Sequence, residues 1–237
     1  MIGYASNTGT LRNLAALRAV GWRVLLTPIN NLRPKDLKYA IDNGAWSCHQ
    51  RGIPFDESAF YQLVRRHGQD ADFIVLPDIV AGGMASLELS YSWIPRLRAM
   101  LPVRSEPSIF LLPVQDGMRA RDIGKIFIEY KNIGIFLGGT TEWKLKEMYA
   151  WGMVAHAWGR WYHIGRVNTK KRIKLAAEAG ADSIDGTRAT RWCKDVPWLD
   201  AKLAQPSLLT PAKLAEVNET LKGMARRQDE MSHDANG

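Results

Sequence analysis

About eight apolar runs of strand length punctuate the chain up to residue 185, and most are separated by a segment with helical periodicity. That alternation limits the fold more than any other feature, because parallel strands need a crossover connection and a helix is the usual one. The runs fall at residues 2–6, 22–27, 38–42, 71–76, 108–114, 133–137, 161–165 and 182–185. Between them, Leu11, Leu14, Leu17 and Val20 recur at helical spacing up to Gly21, and residues 54–66 carry Phe60, Leu63 and Val64 on one face. Residues 85–100, 120–130 and 142–151 repeat the pattern. Pro95 is expected to kink or split the first of these, and Asn168 reads as the cap of a helix running to Ala179.

What stands at the strand ends separates two architectures. Asp42, Asp78, Gln115, the Gly138-Gly139 pair and Asp185 close the third, fourth, fifth, sixth and eighth runs. A TIM-type (β/α)₈ barrel assembles its site from many strand ends, whereas an open doubly wound sheet gathers it at one switch point. The spread favours the barrel, with the doubly wound sheet as the alternative. Neither a Walker loop nor a strand-linked GxGxxG is present, so nucleotide-cofactor folds lose ground. With 237 residues the expected organisation is a single catalytic domain over residues 1–195. A packed loop and helix follow over 196–225, with Thr210-Pro211 opening the helix, and then a flexible tail over 226–237.

Three carboxylates, an amide and a bare backbone suit the edge of a guanine-like base. Carboxylates accept from its ring and amino N–H groups, and an amide or glycine N–H donates to its carbonyl. Each position also has a plain structural use, since a strand-end Asp braces turns and paired glycines make a hinge. Asp185 is followed at once by Gly186-Thr187-Arg188, with Arg191 close behind, which suits nucleophilic chemistry on an anionic substrate.

A formal net charge of +8 and nine tryptophans fit a polyanionic partner, through phosphate contacts and base stacking. Arg166, Lys170, Lys171 and Arg172 gather around one helix start, where cations oppose the helix dipole unless a phosphate docks; a solvated basic face is the other reading. His163 fits a buried core residue as well as a catalytic one, and Trp158, Trp161 and Trp192 fit the core or the barrel rim. Cys48 and Cys193 lack CxxC spacing, so neither a disulfide framework nor a four-cysteine zinc site is expected. No apolar run approaches the roughly 20 residues of a bilayer span. The amino terminus also lacks a charged segment followed by an apolar core, so no membrane association and a cytoplasmic location are expected.

The order and wording of these strand ends resemble the tRNA-guanine transglycosylase family over residues 38–193, and more closely its short phage and bacterial relatives that place 7-deazaguanines in DNA. Asp42-Asn43-Gly44 resembles the family's Asp-Ser-Gly-Gly motif, and Leu112-Pro113-Val114-Gln115-Asp116-Gly117 resembles its Val-Gln-Gly-Gly stretch. Leu137-Gly138-Gly139 resembles its Val-Gly-Glu, with Glu142 standing in for that glutamate, and Asp185 with Thr190-Arg191 keeps its Asp-x4-Thr-Arg spacing. The resemblance implies Asp185 as nucleophile with Arg191 in support, Asp42 in proton transfer, and Asp78, Gln115, Gly138 and Gly139 as readers of the base. It implies base exchange with a free 7-deazaguanine as co-substrate and no cofactor. The family's tRNA enzymes carry three cysteines and a histidine near the carboxyl end. Beyond Asp185 this chain has Cys193 and His233 alone of those residue types, so no metal is expected. Lacking an added RNA-binding module as well, it favours DNA over tRNA. A tRNA substrate and a non-catalytic nucleic-acid-binding barrel remain the alternatives. A nucleoside or glycoside hydrolase shares the paired carboxylates without accounting for Gln115 and Gly139.

Overall fold

The computed structural model describes residues 1–101, 109–191 and 199. In chain order the elements are β1 (Ile2–Ser6), α1 (Leu11–Val20), β2 (Arg23–Leu26), β3 (Tyr39–Ile41), α2 (Ala45–Arg51), α3 (Glu57–His67), β4 (Phe73–Val75), α4 (Gly83–Met100), β5 (Ile109–Val114), α5 (Ala120–Glu129), β6 (Ile133–Leu137), α6 (Thr141–Ala157), β7 (Tyr162–Ile164), α7 (Lys170–Glu178), β8 (Ser183–Gly186) and α8 (Arg188–Arg191). The strands pair in parallel and in sequence order, and β8 returns to β1 with Tyr4 opposite Asp185. The fold is therefore the closed (β/α)₈ barrel expected from the strand ends. Residues Met1–Gln205 form one compact unit. The expected terminal helix, the tail, Trp192 and Cys193 lie outside the described residues.

Two apolar layers follow from the period-two alternation of the strands. Outward residues such as Val24, Ile41, Ile74, Leu112, Ile135 and Ile184 join the helix faces, Phe60, Trp93, Ile123 and Ile173 among them, in the larger cluster. Inward residues Tyr4, Leu25, Ala40, Phe73, Val75 and Leu111 fill the barrel interior. At the amino-terminal end of the strands the Tyr4 hydroxyl donates to Asp72 at 3.0 Å, and Arg23 pairs with the same carboxylate at 2.9 Å. The interior is thus packed below and polar above, which leaves room for chemistry at one end.

Three local features differ from the sequence reading or add to it. Helix α4 runs unbroken through Pro95, which lies on its exposed face, so the Tyr91 carbonyl deprived of an N–H partner can turn to water while Trp93, Ile94 and Leu97 stay packed. Asn168 does not cap α7; Thr169 does, accepting from Arg172 N–H at 3.2 Å. Asn168 Oδ1 instead accepts from the N–H groups of Thr187 (2.8 Å) and Arg188 (3.1 Å), tying the turn after β8 to the turn after β7. Finally, α2 fills a stretch between the third strand and the next helix to which no element was assigned. It is only seven residues long, bounded by Gly44 at φ +80° and Gly52 at φ +63°. No helix among the described residues is long and apolar enough to cross a membrane.

Candidate active site

Towards the carboxyl ends of the strands the inward side chains turn polar, and a cavity of about 370 Å³ opens. Its wall includes Asp42 and Asn43 after β3, Asp78 after β4, Gln115 after β5, Gly138 and Gly139 after β6, Arg166 after β7, and Asp185 in β8. The strand-end residues singled out in the sequence are thereby brought together, with Leu25, Val75, Phe136 and Trp46 supplying apolar wall. That mixture and size are those of a small-molecule site.

Asp185 lies deep, with 12% of its side chain exposed. Alternation along β8 points Ser183 and Asp185 inward, and β7 does the same for His163, which is fully buried. The Asp185 Oδ2 accepts from His163 Nε2 at 3.0 Å and Oδ1 from the Arg166 N–H at 2.9 Å. An ionised carboxylate can only accept, so Nε2 carries a proton. Nδ1 lies 2.8 Å from the hydroxyl of Ser183, whose oxygen accepts from Trp161 Nε1 at 2.9 Å. Phe136 stacks on the imidazole with ring centres 5.1 Å apart. His163 is thus both a satisfied core histidine and a direct partner of the candidate nucleophile. Burial raises the Asp185 pKa, but the interaction with His163, the Arg166 N–H and the Lys144 charge outweigh it and leave the carboxyl below its usual value.

The neighbouring carboxylates are shifted the other way. Burial, then repulsion from Asp185 and Asp78, lift Asp42 to about 7 despite hydrogen bonds from the Gly44 and Asn43 N–H groups. Burial lifts Asp78 to about 6 against hydrogen bonds from Asn43 (2.7 Å) and Gln115. Carboxyls in one cavity whose pKa values are pulled apart are equipped for divided acid–base and nucleophilic tasks. Asn43 sets the spacing: its Nδ2 also donates to the Leu76 carbonyl at 2.6 Å and its Oδ1 accepts from Ala45 N–H at 2.7 Å, fastening the end of β3 to that of β4.

Several residues take other places than the sequence suggested. Gln115 faces the cavity, but its amide nitrogen donates to Asp78 and lies 3.4 Å from Ser86 Oγ, while its buried Oε1 has no partner among the described residues. It braces Asp78 and presents no free donor. The Gly138 N–H is used by the Val114 carbonyl at 2.9 Å, which leaves the Gly139 N–H, without an acceptor among the described residues, as the backbone donor of this turn. Glu142 is exposed in the first turn of α6, outside the cavity wall, where a carboxylate suits the positive end of the helix. Arg166 is no rim residue. At φ +59° it turns its guanidinium into the cavity wall, 3.9 Å over the Trp46 ring and bonded to the Gly139 carbonyl. Lys170, Lys171 and Arg172 open α7 and Arg188 and Arg191 lie on α8, so these cations share one sector of the rim above the adjacent strands β7 and β8.

Gly139 is held at φ +70°, and a Cβ there would lie 2.5 Å from Asp116 Oδ2 and 2.7 Å from the Trp143 ring. Asp116 has little freedom to yield, since it accepts from Thr140 N–H (2.7 Å) and Thr140 Oγ1 (2.6 Å). Gly139→Ala is therefore expected to lower stability by about 1–3 kcal/mol, read as a lower urea midpoint at unchanged slope.

Trp46, Asn43 and Lys144 were not anticipated as site residues. Trp46 carried a usable signal, standing two residues past Gly44 of the Asp42-Asn43-Gly44 turn. No protein-family model matches the sequence, and no curated protein matches it. Fold and site together define a class, a closed parallel barrel with three carboxyl groups sharing the cavity at its carboxyl-terminal mouth.

Proposed function

We propose that this barrel is a base-exchange glycosyltransferase, replacing guanine in a nucleic acid, with DNA favoured, by a 7-deazaguanine through a covalent aspartyl-sugar intermediate. The observation that carries the reading is the company Asp185 keeps: a carboxylate held ionised beside two carboxyls raised to about 7 and about 6 in one cavity. Asp185 attacks the sugar C1′ as the C1′–N9 bond breaks, and neutral Asp42 gives its proton to the departing guanine. Asp42, now ionised, takes the N–H proton of the incoming base, whose nitrogen displaces Asp185 from C1′. Two displacements return the original anomeric configuration, as in retaining glycosidases. Asp78 accepts from the N–H edge of the base, the Gly139 N–H donates to its carbonyl, and Trp46 or Phe136 offers a stacking face. In a duplex the target base has to be flipped out, and the rim cations on α7 and α8 hold the flanking phosphates. One bond is exchanged for a like bond, so no cofactor is called on.

The test is incubation with labelled 7-deazaguanine and, in parallel, DNA and tRNA at matched salt. Label in DNA with release of guanine supports the reading, and label in tRNA alone transfers it to RNA. Guanine release without incorporation makes the protein a hydrolase, and binding with neither makes it a binding barrel. In the exchange-active case Asp78→Asn is expected to weaken discrimination of guanine from adenine by about tenfold or more, at little change in nucleic-acid affinity.

A further inference from the structure

Lys144 lies inside the protein, 5% exposed, on α6. Its ammonium donates to the Gly165 carbonyl, an uncharged acceptor. A lysine in this position is expensive, because burial strips water from the charge and a neutral carbonyl returns only part of it. The chain does not need the charge for packing, since an apolar side chain of similar length would fill the same space. The carbonyl it chooses is informative. Gly165 O and Arg166 N belong to one peptide unit, and that Arg166 N–H is the one that donates to Asp185 Oδ1 at 2.9 Å. A single rigid amide plane therefore has a cation on its oxygen and a carboxylate on its hydrogen.

We propose that Lys144 is a positioning residue for Asp185: its buried ammonium fixes and polarises the Gly165–Arg166 peptide so that the N–H of that peptide is held on the carboxylate as a strengthened donor. Hydrogen bonds in series reinforce each other where water is excluded, so the cation acts on Asp185 both through space and through the amide. The clamp also accounts for the backbone of Arg166, which at φ +59° occupies a region that side chains rarely adopt. Gly165 leaves room for this arrangement, since a Cβ there would lie 2.6 Å from Phe136 and 3.2 Å from Asp185 Oδ2. The charges around Lys144 are Arg166, Asp185, Arg172 and Asp116, and burial with the two arginines brings its pKa down to about 7. Asp185 is in turn faced by His163, Arg166, Lys144 and, across the cavity, Asp42. Throughout the acidic range where Asp185 titrates, Lys144 is charged, so its influence falls where it can be measured.

The inference deepens the reading of Asp185 as nucleophile, yet its test needs no base exchange. The ¹³C carboxyl resonance of Asp185 is followed against pH, together with the amide proton of Arg166, in the intact chain. In Lys144→Met the proton affinity of Asp185 is expected to rise about tenfold, and the Arg166 amide proton to move upfield as its hydrogen bond weakens. Unchanged titration and an unchanged amide shift in that variant overturn the proposal and leave Lys144 a core filler. Should Lys144→Met not fold, Lys144→Gln and Lys144→Arg decide. The arginine variant should titrate like the parent and the glutamine variant show the raised affinity; a glutamine variant that titrates like the parent overturns it. Exchange activity with an unmoved Asp185 titration rejects this inference and spares the proposed function, and a moved titration without exchange does the reverse.

Discussion

Asp185→Asn is expected to cut base exchange by about four orders of magnitude while leaving the folding transition and nucleic-acid affinity close to the parent. The reason for both halves lies in the hydrogen bonds. An asparagine keeps an oxygen for the Arg166 N–H but turns an NH₂ towards His163 Nε2, where the parent has an acceptor. The imidazole can adapt by moving its proton to Nδ1, because Ser183 Oγ can accept from it as well as from Trp161 Nε1. The network is rearranged and not broken, so the structural cost stays near that of one hydrogen bond, about 1 kcal/mol. The chemistry has no such reserve. An amide is a poor nucleophile at C1′, and no other carboxylate of the cavity is held ionised in the same way, Asp42 and Asp78 both being shifted upward. The decisive measurement is acid quenching during turnover. Parent protein should retain labelled nucleic acid through denaturing electrophoresis, and the variant should retain none; an adduct formed by Asp185→Asn at the parent's level removes Asp185 from the nucleophile's place.

The barrel was legible because its information is repeated: each strand announces itself by length and alternation, and the polar residue at its end recurs around the ring. Asp42, Asp78 and Asp185 were legible for the same reason, since a barrel gathers strand ends whatever their exact register. What escaped depends on partners that no local pattern encodes. Lys144 stands in a segment with helical periodicity, and only the packing of α6 on β6 and β7 decides that it points inward. Arg166 reads as one more cation in a basic run; a single positive φ turns it from the rim into the cavity wall. Gln115 is the right residue in the right turn, but its amide is taken up by Asp78 one strand away, and that pairing arises only when β4 and β5 lie side by side. Helix α2 escaped because seven residues hold too few turns for a periodicity to show.

Asp42→Asn should do something unusual for a change in an active site, namely stabilise the protein at pH 8 by on the order of 2–4 kcal/mol and by almost nothing at pH 4. The Asp42 carboxyl titrates near 7 in the folded chain, burial being the chief cause and repulsion from Asp185 and Asp78 the next, against an ordinary value of 3.8. The folded state therefore binds this proton more tightly than the unfolded state does. Below pH 4 both states hold the proton and nothing is lost. As pH rises from 4 through 7 the unfolded chain gives up its proton first, stability falls, and above 7 the full penalty of a buried charge is present. Asp78, raised to about 6, adds a smaller loss over the lower part of that window. Asp185 opposes both, because its carboxyl is depressed and its contribution is lost only as pH falls into the acid range. An asparagine is neutral at every pH and so removes the Asp42 penalty where it is largest. It also removes the group that exchanges a proton with the base, so base exchange should fall by about 10²–10⁴ in the same variant. Gain in stability with loss of turnover is the expected mark of a carboxylate whose strain serves chemistry. Urea unfolding of parent and variant at the two pH values measures it: a gain that persists undiminished at pH 4, or a loss at pH 8, shows that Asp42 is not the raised carboxyl of this cavity.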